Sequence, residues 1–177
     1  FYLSGSPLSG NDLNQVANLL APAPGLEWMA ESFFDPSWAK LDYTKLYQSG
    51  CRMLLFKDLP LSKYRQDFYA NVDSAEAIAS YLKQLHQNQI WSHTQLLIGL
   101  PGEMREEQVQ LMQEIESQKA VAGSIQLFPF YLWNNGSLAN TCKQEIKYIP
   151  FPGQLQDMPI FVHTRGGLDD YLRVVLV

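Results

Sequence analysis

Cysteine is scarce in this chain. Cys51 and Cys142 are the only two in 177 residues, which leaves no disulfide framework and no paired-thiolate metal pattern. Both are expected to be reduced and buried, because free cysteine packs as a small hydrophobe. Histidine is equally thin: His86, His93 and His163 stand at no metal-ligand spacing, and no metal site is expected from this chain. No apolar run approaches the roughly 18 residues of a spanning helix, and no secretory signal is visible. The expectation is a cytoplasmic protein with no membrane attachment. Positive charge is also short, 13 Lys and Arg against 18 Asp and Glu for a formal net charge of −5. That balance disfavours a broad phosphate-binding surface, so no nucleic-acid partner is expected. There is no low-complexity tract and no initiator Met. Phe1-Tyr2-Leu3 already reads as a strand, and the apolar run 172–177 is unlike a frayed terminus, so a piece of a longer protein is expected.

What is present is a strand–helix alternation. Residues 1–3 read as a strand and 4–10 as its exit loop. A helix follows, capped by Asn11 or Asp12, with Leu13, Val16, Ala17 and Leu20 at helical spacing. A strand over 26–34 leads to a helix over 38–49, with Gly50 at its left-handed C-terminus. The run Met53-Leu54-Leu55-Phe56 is continuous enough for a parallel strand buried on both faces. A polar segment, 57–72, has room for a helical turn. Asp73-Ser74-Ala75-Glu76 resembles a capping box with Asp73 as cap, and Ile78, Leu82 and Leu85 line the helix that follows. Strands over 91–98 and 124–128 flank a helix over 105–118. Turn signals at 134–137 and 150–153 break the pattern, and a strand is expected at 171–177. Strand starts about 25–40 residues apart fit successive βαβ units and a parallel sheet or barrel.

The stretch 94–103 organises the rest. Leu96-Leu97-Ile98 is a buried strand end, Gly99 allows close backbone approach, Pro101-Gly102 turns the chain, and Glu103 is placed at a helix N-terminus.

On these residues the chain resembles the second through sixth βα units of the radical S-adenosylmethionine (SAM) superfamily. It is most similar to the branch often fused to a cobalamin-binding domain. Ser4-Gly5-Ser6-Pro7 stands where that superfamily has a Gly-Gly-Glu-Pro-like segment. Gln48-Ser49-Gly50-Cys51 with Met53-Leu54-Leu55-Phe56 resembles its fourth-strand entry, and Ile98-Gly99-Leu100-Pro101-Gly102-Glu103 its fifth-strand motif. Phe128-Pro129-Phe130-Tyr131 with Gly136-Ser137-Leu138-Ala139-Asn140 resembles its sixth strand and exit. The Cys-x3-Cys-x2-Cys loop is absent, Ser6 replaces a Glu, and Lys57-Asp58-Leu59-Pro60 replaces a Gly-x-Glu-Ser.

The resemblance implies an α/β fold: a partial (βα) barrel with parallel strands over 1–140, lacking the first βα unit, and a partly irregular extension over 141–177. It implies an enzyme that cleaves SAM reductively to a 5′-deoxyadenosyl radical, with 4Fe-4S cluster ligands outside this chain and a cobalamin domain also outside it. The fragment would be inactive alone and carry no catalytic residue. Its contribution would be a wall for SAM and a small-molecule or peptide substrate: Ser4, Gly5 and Ser6 toward the methionyl amine, Lys57 and Asp58 toward the carboxylate or ribose, Ile98, Gly99 and Leu100 as an adenine shelf, and Glu31 at the barrel mouth. Each has a plainer reading, as a polar loop, a solvated loop start or a surface carboxylate. A degenerate, non-catalytic barrel that binds a peptide or partner protein is the alternative for the whole chain. A metal-independent barrel enzyme is a third reading, weakened by the lack of an acid, base or nucleophile set.

Overall fold

Every strand expected through residue 129 forms, and the strands pair in the order in which the chain makes them. In the computed structural model, which describes residues 1–23, 25–69, 71–100, 103–117, 123–129, 146–149 and 160–163, β1 (Tyr2–Leu8), β2 (Trp28–Ser32), β3 (Cys51–Phe56), β4 (Trp91–Ile98) and β5 (Ser124–Pro129) form one sheet in the order β1-β2-β3-β4-β5. The five strands are parallel. A sheet wound strictly in sequence order steps in one direction at each right-handed crossover, as a barrel does. The helices are α1 (Gly10–Leu20), α2 (Tyr43–Gln48), α3 (Lys63–Phe68), α4 (Ala75–Gln87) and α5 (Arg105–Ser117). Among the described residues no helix is long and apolar enough to cross a membrane.

The chain divides into two units, Phe1–Leu96 with Gln110–Gln126, and Leu97–Val109 with Leu127–Val177. The first unit holds a core on one face of the sheet. Trp28, Ala30 and Ser32 alternate inward along β2, and Leu54 and Phe56 do so along β3, as a pleated strand requires. Leu13 and Ala17 of α1, Leu46 of α2 and Ile78, Leu82 and Leu85 of α4 are fully buried with them. Each of these leucine and isoleucine side chains stabilises the fold by roughly 1.5–3 kcal/mol. Phe34 stacks on Phe56 with ring centroids 4.2 Å apart, and Trp38 meets both rings at an angle. The buried indoles keep their donors paired: Trp28 Nε1 donates to Ser49 O at 3.0 Å and Trp38 Nε1 to Phe33 O at 2.7 Å, which removes the penalty of an unpaired buried donor.

Local chemistry revises several boundaries. The first strand runs on to Leu8 instead of ending at residue 3. Helix α1 is capped by Ser9, whose hydroxyl accepts from Asp12 N, while Asp12 reaches back to Ser9 N at 3.0 Å; Asp12 is thus the third residue of a capping box and not the cap. The helix expected over 38–49 splits into a 3-10 segment, Pro36–Lys40, and α2, capped by Asp42. Ser74 caps α4, and Asp73 instead accepts from Tyr81 OH at 2.5 Å. Gly50 is left-handed as expected, with φ +95°, and a Cβ there would fall 1.8 Å from Leu26 O, so only glycine fits this close strand entry.

In the second unit, β6 (Ile146–Ile149) and β7 (Ile160–His163) pair antiparallel, with Ile146 opposite His163. The expected boundary at residue 140, the motif residues 130–131 and 136–140, Cys142 and the strand at 171–177 lie outside the described residues.

Candidate functional site

The first two strands are out of step, and the mismatch falls on a sequence-predicted segment. Tyr2 pairs with Met29, Leu3 with Ala30, and Leu8 with Ser32. Between those pairs β1 places Ser4, Gly5, Ser6 and Pro7 where β2 places only Glu31. Four residues against one make a wide bulge, and bulges re-aim the chain beside sites. The composition explains it: Gly5 takes φ +146°, which other residues avoid, and Pro7 has no N–H for a ladder. A Cβ on Gly5 would meet nothing within 4 Å, so the dihedral, and not crowding, calls for glycine. Ser4, Gly5 and Ser6 are all exposed.

Glu31 is the residue that the bulge faces across the ladder. Its carboxylate accepts from Tyr2 OH at 2.7 Å and lies 2.8 Å from Lys57 Nζ. The hydrogen bond from the Lys57 ammonium, then that from Tyr2, hold Glu31 below the ordinary carboxylate range. The same contact raises the Tyr2 phenol. Ser4, Gly5, Ser6, Glu31 and Lys57 are therefore brought together at the C-terminal ends of β1, β2 and β3, where parallel α/β sheets gather ligands.

Asp58 parts company with its neighbour. Lys57 stays 62% exposed, whereas the Asp58 carboxylate is 7% exposed and 2.5 Å from Arg65 Nη1, whose side chain is fully buried. Arg65 belongs to α3, which forms inside the polar 57–72 segment. Ser62 caps that helix by accepting from Arg65 N. This ion pair ties the segment to itself, so Asp58 is not a free carboxylate at the mouth.

Ile98, Gly99 and Leu100 belong to the second unit. Ile98 and Leu100 are 1% and 0% exposed, so what this stretch can offer a ligand is the backbone at Gly99, which takes φ +83°. Helix α5 begins at Arg105, as expected. Glu107, not Glu103, reaches the helix end, accepting from Met104 N at 2.7 Å; Glu103 is buried and its N–H donates to Leu100 O. Pro101 and Gly102 lie outside the described residues.

Sequence reasoning missed Tyr2, which reads as a strand aromatic, and Arg65, hidden in a segment taken for loop. Ser62 followed three residues later by Arg65 N–H is a cap that the sequence could have signalled. Burial pushes the Cys51 thiol up to about 12, as expected for an inert cysteine. Among the described residues no group of three His, Cys, Asp or Glu side chains could hold a metal ion.

No protein-family model matches the chain, and no curated protein matches it. Solved structures do. A radical S-adenosylmethionine methyltransferase, TsrM from Kitasatospora setae, with tryptophan substrate and the SAM analogue aza-SAM bound, superposes with a TM-score of 0.59 at 12% identity. That match covers 93% of this chain and 39% of the other. A second structure of TsrM, with cobalamin and a [4Fe-4S] cluster bound, gives 0.54 at 15% identity, covering 92% of this chain and 31% of the other. The chain thus spans well under half the length of the proteins it superposes on. The likeness shows a radical SAM-like fold.

Proposed function

We propose that this chain is part of a radical SAM enzyme and supplies wall residues against which SAM and its substrate rest. The observation that carries the reading is the bulge of residues 4–7 opposite Glu31, with Lys57 on the same carboxylate. Its chemistry suits the methionyl end of SAM. Exposed oxygens at Ser4, Gly5 and Ser6 can accept from the α-ammonium, and Glu31 can share that positive charge. Lys57, mostly solvated, can turn to the carboxylate without leaving a buried charge behind. Asp58 then serves as the anchor that fixes where Lys57 emerges. Ile98, Gly99 and Leu100 are assigned to the adenine on the resemblance, through the Gly99 backbone. When bound and reductively cleaved, SAM would supply a hydrogen-abstracting radical, and the protein would position it and exclude water.

The donors of this chain do not fit an iron–sulfur cluster. Three thiolates are needed to leave one iron open, and the 177 residues contain two cysteines. In this reading the cluster ligands, and any cobalamin domain, belong to residues other than these, in a cytoplasmic protein. Anaerobic reconstitution of the chain with iron and sulfide should therefore give no 4Fe-4S absorbance.

The test is an amide shift titration of the chain with SAM. Saturable shifts at Ser4, Gly5 and Ser6, lost in Lys57→Met, are the expected result. Absence of shifts in a protein that remains folded would overturn the reading and favour a non-catalytic module that binds a peptide or partner protein.

A further inference from the structure

Helix α1 starts just past the end of β1, at the same strand tips as Glu31 and Lys57, and groups from the exit of β2 hold that start. The first amides of a helix have no partner within the helix. Ser9 serves one of them, the N–H of Asp12. Two others are served from 25 and 26 positions away: the Gly10 N–H donates to Asp35 Oδ1 at 3.1 Å, and the Asn11 N–H to Ser37 Oγ at 2.9 Å. Asp35 also orients Ser37, whose Oγ lies 2.8 and 2.9 Å from the two carboxylate oxygens. The hydroxyl proton goes to the carboxylate, which leaves a lone pair for the Asn11 N–H. Negative charge at a helix N-terminus strengthens the hold.

The contact beneath these bonds is backbone on backbone. A Cβ on Gly10 would fall 2.7 Å from Ser37 C and from Trp38 N, so any side chain there would push the two segments apart. Trp38 is fully buried against Phe34 and Phe56, so the core fixes the segment that carries Asp35 and Ser37. Just before the helix, Leu8 O accepts from Ser32 Oγ at 2.6 Å and from Phe33 N at 3.3 Å. The downstream end of the bulge is thus tied at Leu8, Gly10 and Asn11 to the exit of β2, while Ser4, Gly5 and Ser6 stay exposed.

We propose that Asp35 is a positioning residue for the bulge. It touches no ligand. By holding Gly10 directly and Asn11 through Ser37, it fixes the exit of β1, and with it the place where Ser4, Gly5 and Ser6 meet the α-ammonium of SAM. Acceptors already in place bind more tightly than acceptors that binding must first order. The inference rests on the SAM reading.

The experiment repeats the amide shift titration with SAM on the full chain and on variants of the clamp. Asp35→Ala should weaken SAM by roughly tenfold, the size of one hydrogen bond to a charged acceptor. The Gly10 and Asn11 amides should exchange faster in that variant without SAM. Asp35→Asn keeps an oxygen for the Gly10 N–H and should bind nearly as the parent does. Ser37→Ala, which leaves the bond to Gly10, should lose less than Asp35→Ala. Ile78→Val trims the buried face of α4 at a comparable cost in stability and should leave the affinity unchanged. Parent-like affinity in a folded Asp35→Ala protein would overturn the proposal and leave the SAM reading standing. So would an Asp35→Asn protein as weak as Asp35→Ala, which assigns the effect to charge, or an equal loss in Ile78→Val, which assigns it to stability. Absence of shifts in the folded parent would instead overturn the SAM reading, and this proposal with it.

Discussion

The two faces of the sheet in the first unit are made of the same strands and do opposite work. On one, Trp28, Ala30, Leu54 and Phe56 are under 3% exposed and packed with helix side chains. On the other, Met29, Glu31, Leu55 and His93 are only half-buried, and the charges and hydrogen-bonding groups collect there. Parallel sheets are ordinarily covered on both faces. Among the described residues here, one face is the more deeply buried, which separates stability from chemistry residue by residue, because each strand sends alternate side chains to alternate faces. The same division falls between the neighbours Lys57 and Asp58, one solvated on Glu31 and one buried on Arg65.

That division predicts unequal costs for adjacent substitutions. Asp58→Ala should destabilise by about 3–5 kcal/mol, since it leaves the fully buried Arg65 without its carboxylate. Lys57→Ala should cost no more than about 1 kcal/mol, the range of exposed ion pairs. Urea unfolding midpoints of the two variants measure the difference, and equal losses would break the comparison. The pair Leu54 and Leu55 sharpens it further. Leu54→Ala should cost about 2–5 kcal/mol as a core truncation, with Leu55→Ala well below it, read by the same midpoints.

The smallest effect concerns Glu31. Its folded pKa lies below the unfolded value, chiefly through Lys57. The stability that this adds is present above the unfolded carboxylate pKa and is lost as pH falls through the folded one. Glu31→Gln should therefore be less stable than the parent by no more than about 1 kcal/mol near neutral pH, discounted for solvent screening. The gap should close in acid. Unfolding curves at neutral and strongly acidic pH check the sign, and a gap that widens in acid would contradict the assignment.

Much of the architecture was legible. The continuous run at 53–56, the Gly at 50 and the strand–helix spacing led to parallel strands and a left-handed helix end, and both are present. The caps at Ser9 and Ser74 were misplaced by one to three residues because neighbouring Asp, Asn and Ser side chains can each cap. Of the residues singled out in the sequence, Glu31 and Lys57 pair and Ser4, Gly5 and Ser6 lie across the ladder from Glu31, but Asp58 turns inward to a partner seven residues along. Nothing in the pattern 57–65 distinguishes those two outcomes.

Periodicity, glycine and capping chemistry are local, so the sequence by itself determined the order of elements and the parallel sense of the strands, while their order in the sheet came from the structure. Register is not local. It depends on which residues of separate strands come to lie side by side, and a shift by one would move every side chain to the other face. Only the tertiary structure decided that four residues of β1 bulge against Glu31, that Tyr2 and Lys57 share its carboxylate, and that Asp35 holds the start of α1.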